Sequence, residues 1–194
     1  MRYEKGRRDA SRERILQAAS ERFRADGIAA SGLSRVMKDA GLTNGAFYPH
    51  FESKAELVRE SLASALDAQA EQMRHILAAD GLDGLIAAYL TPEHRDNPQV
   101  GCATSALAAE IAREPQETRS AYTERVAALA KQVAAYVPPQ ATDPEATAMA
   151  LLATCIGTLQ IARAVDGAEM SDRILAAGRE AARTILRTCA LLAT

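Results

Sequence analysis

Between residues 43 and 54 the chain reads TNGAFYPHFESK, and the residues able to do chemistry there are Thr43, Asn44, Gly45, Tyr48, Pro49, His50 and Lys54. Thr43 is suited to cap a helix. That would leave the N–H groups of Asn44, Gly45 and Ala46 at a helix start, where free donors and the peptide dipoles favour a phosphate. Phe47 and Phe51, four residues apart, supply a buried side, so Tyr48, Pro49 and His50 are expected largely off it. Such a cluster makes little sense as core and good sense as a surface that meets something anionic.

No comparable cluster supports catalysis. His50, His75 and His94 stand apart, with no Gly-rich phosphate loop, no His/Glu metal spacing and no nucleophile elbow. The cysteines at 102, 155 and 189 are too few and too scattered for a disulfide framework or a zinc site. We therefore expect no enzyme, no cofactor and no metal. Cys102, in GCATSA, falls at or near a helix N-terminus, an environment that raises thiolate reactivity. It leaves two readings open: a small buried hydrophobe, or a sensor of electrophiles and oxidants.

The elements that must position these residues are helices. Alanine occurs 42 times, aromatic residues make up 4% of the chain, and no stretch shows sustained apolar/polar alternation, so an all-α chain of about nine helices is expected. A polar, basic arm at 1–9 precedes a first helix from about Ser11, stopped by Gly27. Val36, Met37 and Ala40 form one face of a second, Gly41 ends it in a left-handed turn, and the segment from Thr43 to Phe51 completes a helix-turn-helix. Ser53 and Glu56 make a capping box for a fourth helix running to about Ala79. Short helices follow, and Asp166-Gly167 separates two long final ones that pair antiparallel. Each of these two carries small and bulky apolar residues on more than one face. Met149, Leu152, Ile156, Ile174, Gly178 and Ile185 are accordingly expected to pair with a second copy, giving a homodimer.

Charge is uneven along the chain. The net value is -2, yet residues 1–51 hold ten Lys/Arg against six Asp/Glu, and the rest hold thirteen against nineteen. The basic surplus coincides with the helix-turn-helix, as a nucleic-acid partner requires. No run of eighteen uninterrupted apolar residues occurs, and the N-terminus has no apolar stretch behind its charges, so a cytoplasmic protein with no membrane partner is expected.

The stretch TNGAFYPHFESKAEL closely resembles the signature of TetR-type transcriptional regulators, and the likeness covers Ser11 to about Leu62. The resemblance implies a homodimeric, all-helical repressor with a helix-turn-helix domain at 1–52 and an effector-binding and dimerisation domain at 53–194. By the same likeness, Tyr48 looks like a phosphate-binding phenol, His50 a backbone contact and Lys54 a backbone cation. Thr43 caps and touches phosphate, and Asn44 reads a base of the double-stranded operator, because its amide can pair bidentately with adenine. Arg35 is a further contact, and Ser31 or Ser34 supplies the hydroxyl missing at Gly32. Position along the chain suggests Leu66, Met73, Tyr89, Cys102, Leu107, Ile111 and Tyr122 for a small, largely apolar effector. The alternatives are a thiol-sensing repressor working through Cys102 and a helical protein-interaction module.

Overall fold

The computed structural model describes residues 2–191, and every regular element among them is helical. In chain order these are α1 (Arg2–Asp26), α2 (Leu33–Asp39), α3 (Lys54–Tyr89), α4 (Pro92–Asp96), α5 (Ala103–Ile111), α6 (Gln116–Ala134), α7 (Pro144–Ala164) and α8 (Ala168–Leu191), with 3-10 turns at Asn44–Ala46 and Pro98–Val100. With α3 counted as two stretches, two local differences offset each other against the expected nine helices, and one break falls where it was expected. The segment after Thr43 forms a 3-10 turn and further turns in place of an α-helix. The fourth helix breaks at Gly81, where it was expected to end, in a conformation (φ 63°, ψ -158°) that only glycine adopts without strain, and a second helical stretch runs on from there to Tyr89. The polar stretch after Pro92 contains the short α4, capped by the Thr91 hydroxyl, which accepts the His94 N–H. At the other end, α1 begins at Arg2 where an irregular arm was expected. The segment is rich in Arg, Lys and Glu, all good helix formers, and one glycine at Gly6 costs only about 1 kcal/mol.

The described chain forms two compact units, one comprising residues up to Asp67 together with Pro98–Thr123, the other Ala68–Asn97 with the residues from Glu124 onward. The first is built on a single core. Ile15, Phe23, Val36, Met37, Phe47 and Phe51 from the N-terminal segment meet Leu57, Leu62 and Leu66 of α3 and Leu107 and Ile111 of α5. About fifty residues alone would bury little apolar surface. The start of α3 and all of α5 complete the enclosure.

In the second unit, α7 and α8 form an antiparallel hairpin turned at Gly167, whose φ is 92°. Leu151, Cys155, Leu159 and Ala162 of α7 and Leu175 and Ala182 of α8 are buried. By length and composition α7 could cross a membrane. A third of its most apolar window is buried within the protein, and its last turn carries Arg163 in polar contacts. Arg163 donates to the carbonyls of His94 at 2.7 Å and Arg95 at 3.0 Å, satisfying the end of α4. Arg95 in turn donates to Ser171 and Asp172 of α8, each at 2.8 Å, and Arg179 donates to the Leu90 carbonyl at 2.6 Å.

Gly178, expected on an intermolecular face, is used inside this hairpin, where it lies against Thr158. Leu152 is also buried within the chain. Met149 keeps half of its surface exposed, and Ile156, Ile174 and Ile185 are partly exposed.

His94 links chemistry to stability here. Its Nδ1 lies 2.7 Å from the Tyr89 carbonyl and its ring meets the Tyr89 ring edge-on. Burial pushes its pKa below the ordinary 6.5, outweighing the carbonyl, and the Arg163 charge acts in the same direction as burial. The folded protein therefore binds this proton less readily than the unfolded chain. The resulting stability is complete above pH ~6.5 and is lost as pH falls through the lowered folded value. Denaturant midpoints measured at pH 7.5 and 5.5 should show a smaller acid loss for His94→Asn than for the natural chain.

Candidate nucleic-acid interface

The exposed face of the N-terminal segment is held by contacts that begin at the turn between α1 and α2. Gly27, with φ of 88°, ends α1. The Ser31 hydroxyl donates to the Gly27 carbonyl at 2.6 Å. Two charged groups from distant parts of the chain then grip the turn: Lys54 Nζ donates to the Ile28 carbonyl at 2.6 Å, and the Glu110 carboxylate accepts the Ala29 N–H at 2.9 Å. Next, α2 starts at Gly32, which has no side chain to cap it, and ends at Gly41 with φ of 67°, where the Leu42 N–H bonds the Met37 carbonyl at 2.9 Å.

The segment that follows departs from the helix the sequence suggested. Ala46 and Phe47 donate to Thr43 and Asn44 in 3-10 fashion, and His50 and Phe51 both donate to the Phe47 carbonyl. Pro49 explains the interruption, since it has no N–H to give the Gly45 carbonyl and its ring disfavours the helical conformation before it. Thr43 precedes this turn in an extended conformation, and its side chain makes no capping hydrogen bond. With three residues in the 3-10 turn, the peptide dipoles add little, so any attraction for phosphate must come from side chains and single N–H groups.

Seven expected contact residues share the exposed surface: Ser34, Arg35, Thr43, Asn44, Gly45, Tyr48 and Pro49. Tyr48 is 73% exposed while its neighbour Phe47 is 1% exposed and lies 5.7 Å from the Phe51 ring. His50 is half-buried and its Nδ1 makes no hydrogen bond within the protein. Burial, then the nearby Arg8 and Arg12 charges, lower its pKa and favour the neutral ring. Lys54 is half-buried and already tied to Ile28, though an ammonium has further donors to offer.

Contacts that the sequence did not disclose complete the face. Arg8 donates to the Pro49 carbonyl at 2.6 Å, Arg12 lies over the Phe51 ring and pairs with Glu60, and the Asn44 amide donates to the Ser34 hydroxyl at 3.0 Å. Arg35 lies 3.9 Å from Asp26 and remains mostly exposed. The residues bordering the 3-10 turn are thus polar, cationic or phenolic. An apolar docking patch, which an interaction module would show there, is not what these side chains form.

Residues 15–61 match the model of the bacterial regulatory proteins of the tetR family. This segment of the chain, about a quarter of its length, is thus similar to the DNA-binding part of tetR-family regulators. Among curated relatives, the transcriptional regulator SrpR of Pseudomonas putida is 41% identical over 56 residues, covering 29% of this chain and 26% of that protein. TtgR of Pseudomonas putida is 36% identical over 75 residues, covering 39% of this chain and 36% of its own length. The matched segments therefore span well under half of these regulators. Solved structures extend the likeness of fold: reduced NemR of E. coli superposes with a TM-score of 0.69 at 24% identity, covering 88% of this chain and 95% of NemR. FadR of Bacillus subtilis, in complex with stearoyl-CoA, gives 0.65 at 15% identity, covering 90% and 97%.

The residues expected to hold an effector are divided between the two units. Leu66, Leu107 and Ile111 are buried in the core of the first unit, and Tyr122 packs half-buried against it. Met73 and Tyr89 are buried residues of the second unit. Helical spacing turns these side chains inward, into the apolar interior of each unit. Cys102 belongs to the first unit, is 3% exposed, and its sulfur accepts the Ser105 N–H at 3.4 Å as the cap of α5. That placement serves a structural cysteine.

Proposed function

We propose that the protein is a cytoplasmic, homodimeric transcriptional repressor that reads a palindromic operator with residues 1–52 and is released by a small effector bound within 53–194. The observation that carries the reading is the exposed polar row of Ser34, Thr43, Asn44 and Tyr48 on a segment matching the tetR family model. It is a regulator, not an enzyme. Tyr48, His50, Thr43 and Lys54 hold the DNA backbone and Asn44 reads a base, the division of labour by which backbone contacts position and base contacts specify. Partly exposed Met149, Ile156, Ile174 and Ile185 offer the second copy an apolar surface on α7 and α8. The stearoyl-CoA in the FadR structure supports a small-molecule effector here too. Such a molecule acts only by preferring the arrangement that does not fit DNA.

The test is selection of bound sequences from random double-stranded DNA, followed by affinity measurements across salt concentrations. A palindrome should emerge. Tyr48→Ala should weaken binding to it about 3- to 10-fold, the size of one lost hydrogen bond. Lys54→Ala should flatten the dependence of log affinity on log salt by about one unit. Recovery of no palindrome would overturn the operator reading, and an unchanged slope would remove Lys54 from the phosphate contacts.

A further inference from the structure

Asn44 is exposed, and a free exposed amide swings about its last side-chain torsion, which is a broad, soft coordinate. Here it does not swing freely, because Nδ2 donates to Ser34 Oγ at 3.0 Å across ten residues of chain. Ser34 itself is fixed by the first turn of α2, whose neighbours Val36 and Met37 are buried in the core. The bond therefore ties the side chain of the mobile-looking turn to a rigid helix.

A carboxamide has two N–H donors and a carbonyl oxygen. Bidentate pairing with adenine needs the oxygen and one N–H, on the same edge of the amide. One N–H is left over, and it is the anti one that a neighbour can take without blocking that edge. We propose that Ser34 is a positioning residue for base recognition: by accepting the spare N–H of Asn44 it presents the adenine-pairing edge of the amide toward the major groove. The hydroxyl keeps its own proton, which it can donate to a phosphate oxygen, so one side chain joins the backbone contact to the base contact. This inference rests on the DNA-binding reading above and deepens it.

A purely backbone-contacting Ser34 and a positioning Ser34 differ in a measurable way. Loss of a phosphate contact weakens binding to all sequences alike. Loss of positioning lowers the preference at one base pair, where a bidentate contact is worth roughly 5- to 150-fold. The experiment uses the full chain and the palindrome that it selects from random DNA, with every base pair of one half-site replaced in turn. Asn44→Ala identifies the position that Asn44 reads. Ser34→Ala should reduce discrimination at that same position by about fivefold or more, Ser34→Thr, which keeps the hydroxyl, should restore it, and Ser34→Ala added to Asn44→Ala should change that position no further. Circular dichroism melts confirm that the variants fold. If Ser34→Ala keeps the natural preference at every position while Asn44→Ala alters one, the positioning role is wrong and the operator reading stands. If Asn44→Ala alters no position, or the natural chain selects no sequence, the proposal falls, in the second case together with the operator reading.

Discussion

Phe47→Ala will destabilise the N-terminal unit by about 3–5 kcal/mol, whereas Tyr48→Ala, one residue along, will change its stability by less than about 0.5 kcal/mol. The two rings are in contact, with centroids 5.4 Å apart, but only Phe47 is enclosed. Truncating Phe47 removes its transfer free energy and leaves a hole among Phe51, Val36 and α3 that the surrounding helices cannot all move to fill. Domains of this size have about 5–15 kcal/mol in total, so the variant will populate unfolded forms at ordinary temperatures. Denaturant titration followed by circular dichroism measures both effects. DNA affinity should fall for both variants, with structure lost only in the first. Equal midpoints for Phe47→Ala and the natural chain would mean that the turn around Pro49 does not pack as described.

Gly178→Val should disrupt the hairpin of the second unit. A Cβ at this position would stand 2.2 Å from Thr158 Cγ2, 2.4 Å from its hydroxyl oxygen and 2.8 Å from its Cβ, all shorter than packed atoms tolerate. Thr is branched at Cβ and cannot rotate both substituents away. Valine in place of glycine recovers about 0.5 kcal/mol of helix propensity, against an overpacking cost of about 1–3 kcal/mol or more. The net effect is a lower melting temperature. Adding Thr158→Ala, which removes two of the three close atoms, should recover part of it, and the double-mutant cycle measures the coupling. Because the partly exposed Met149 and Ile174 share these two helices, size-exclusion chromatography should also report weakened association of the proposed dimer. Additive effects of the two substitutions would show that the helices do not meet at Gly178.

Much of this architecture was legible in the sequence because its signals are local. Ser53 does cap α3, with its hydroxyl accepting the Glu56 N–H at 3.1 Å, and Asp143 with Pro144 opens α7 as such a pair should. Positive φ at Gly27, Gly41 and Gly167 falls where helix ends were expected. The misreadings have equally local causes. Residue type alone makes Thr43 a helix cap, while Pro49, five residues after Asn44, removes a helical donor. The polar stretch after Thr91 lacks apolar periodicity, so α4 was missed. What no local pattern discloses is pairing across long separations, such as Lys54 with Ile28, 26 residues apart, and Glu110 with Ala29, 81 apart. The expected effector residues are limited by a related ambiguity. Leu66, Leu107 and Ile111 carry an apolar helical pattern that is the same whether a side chain fills a core or lines a pocket.

The bond from Glu110 to Ala29 has a consequence for isotope exchange. Ala29 lies on an exposed turn, where a backbone amide proton ordinarily trades with solvent almost at once. Its hydrogen is instead held by a carboxylate on α5, so it can leave only when α5 and the turn part company. The deuteration rate at this one amide is therefore a clock for that separation. It runs without any knowledge of which molecule, if any, sets it going.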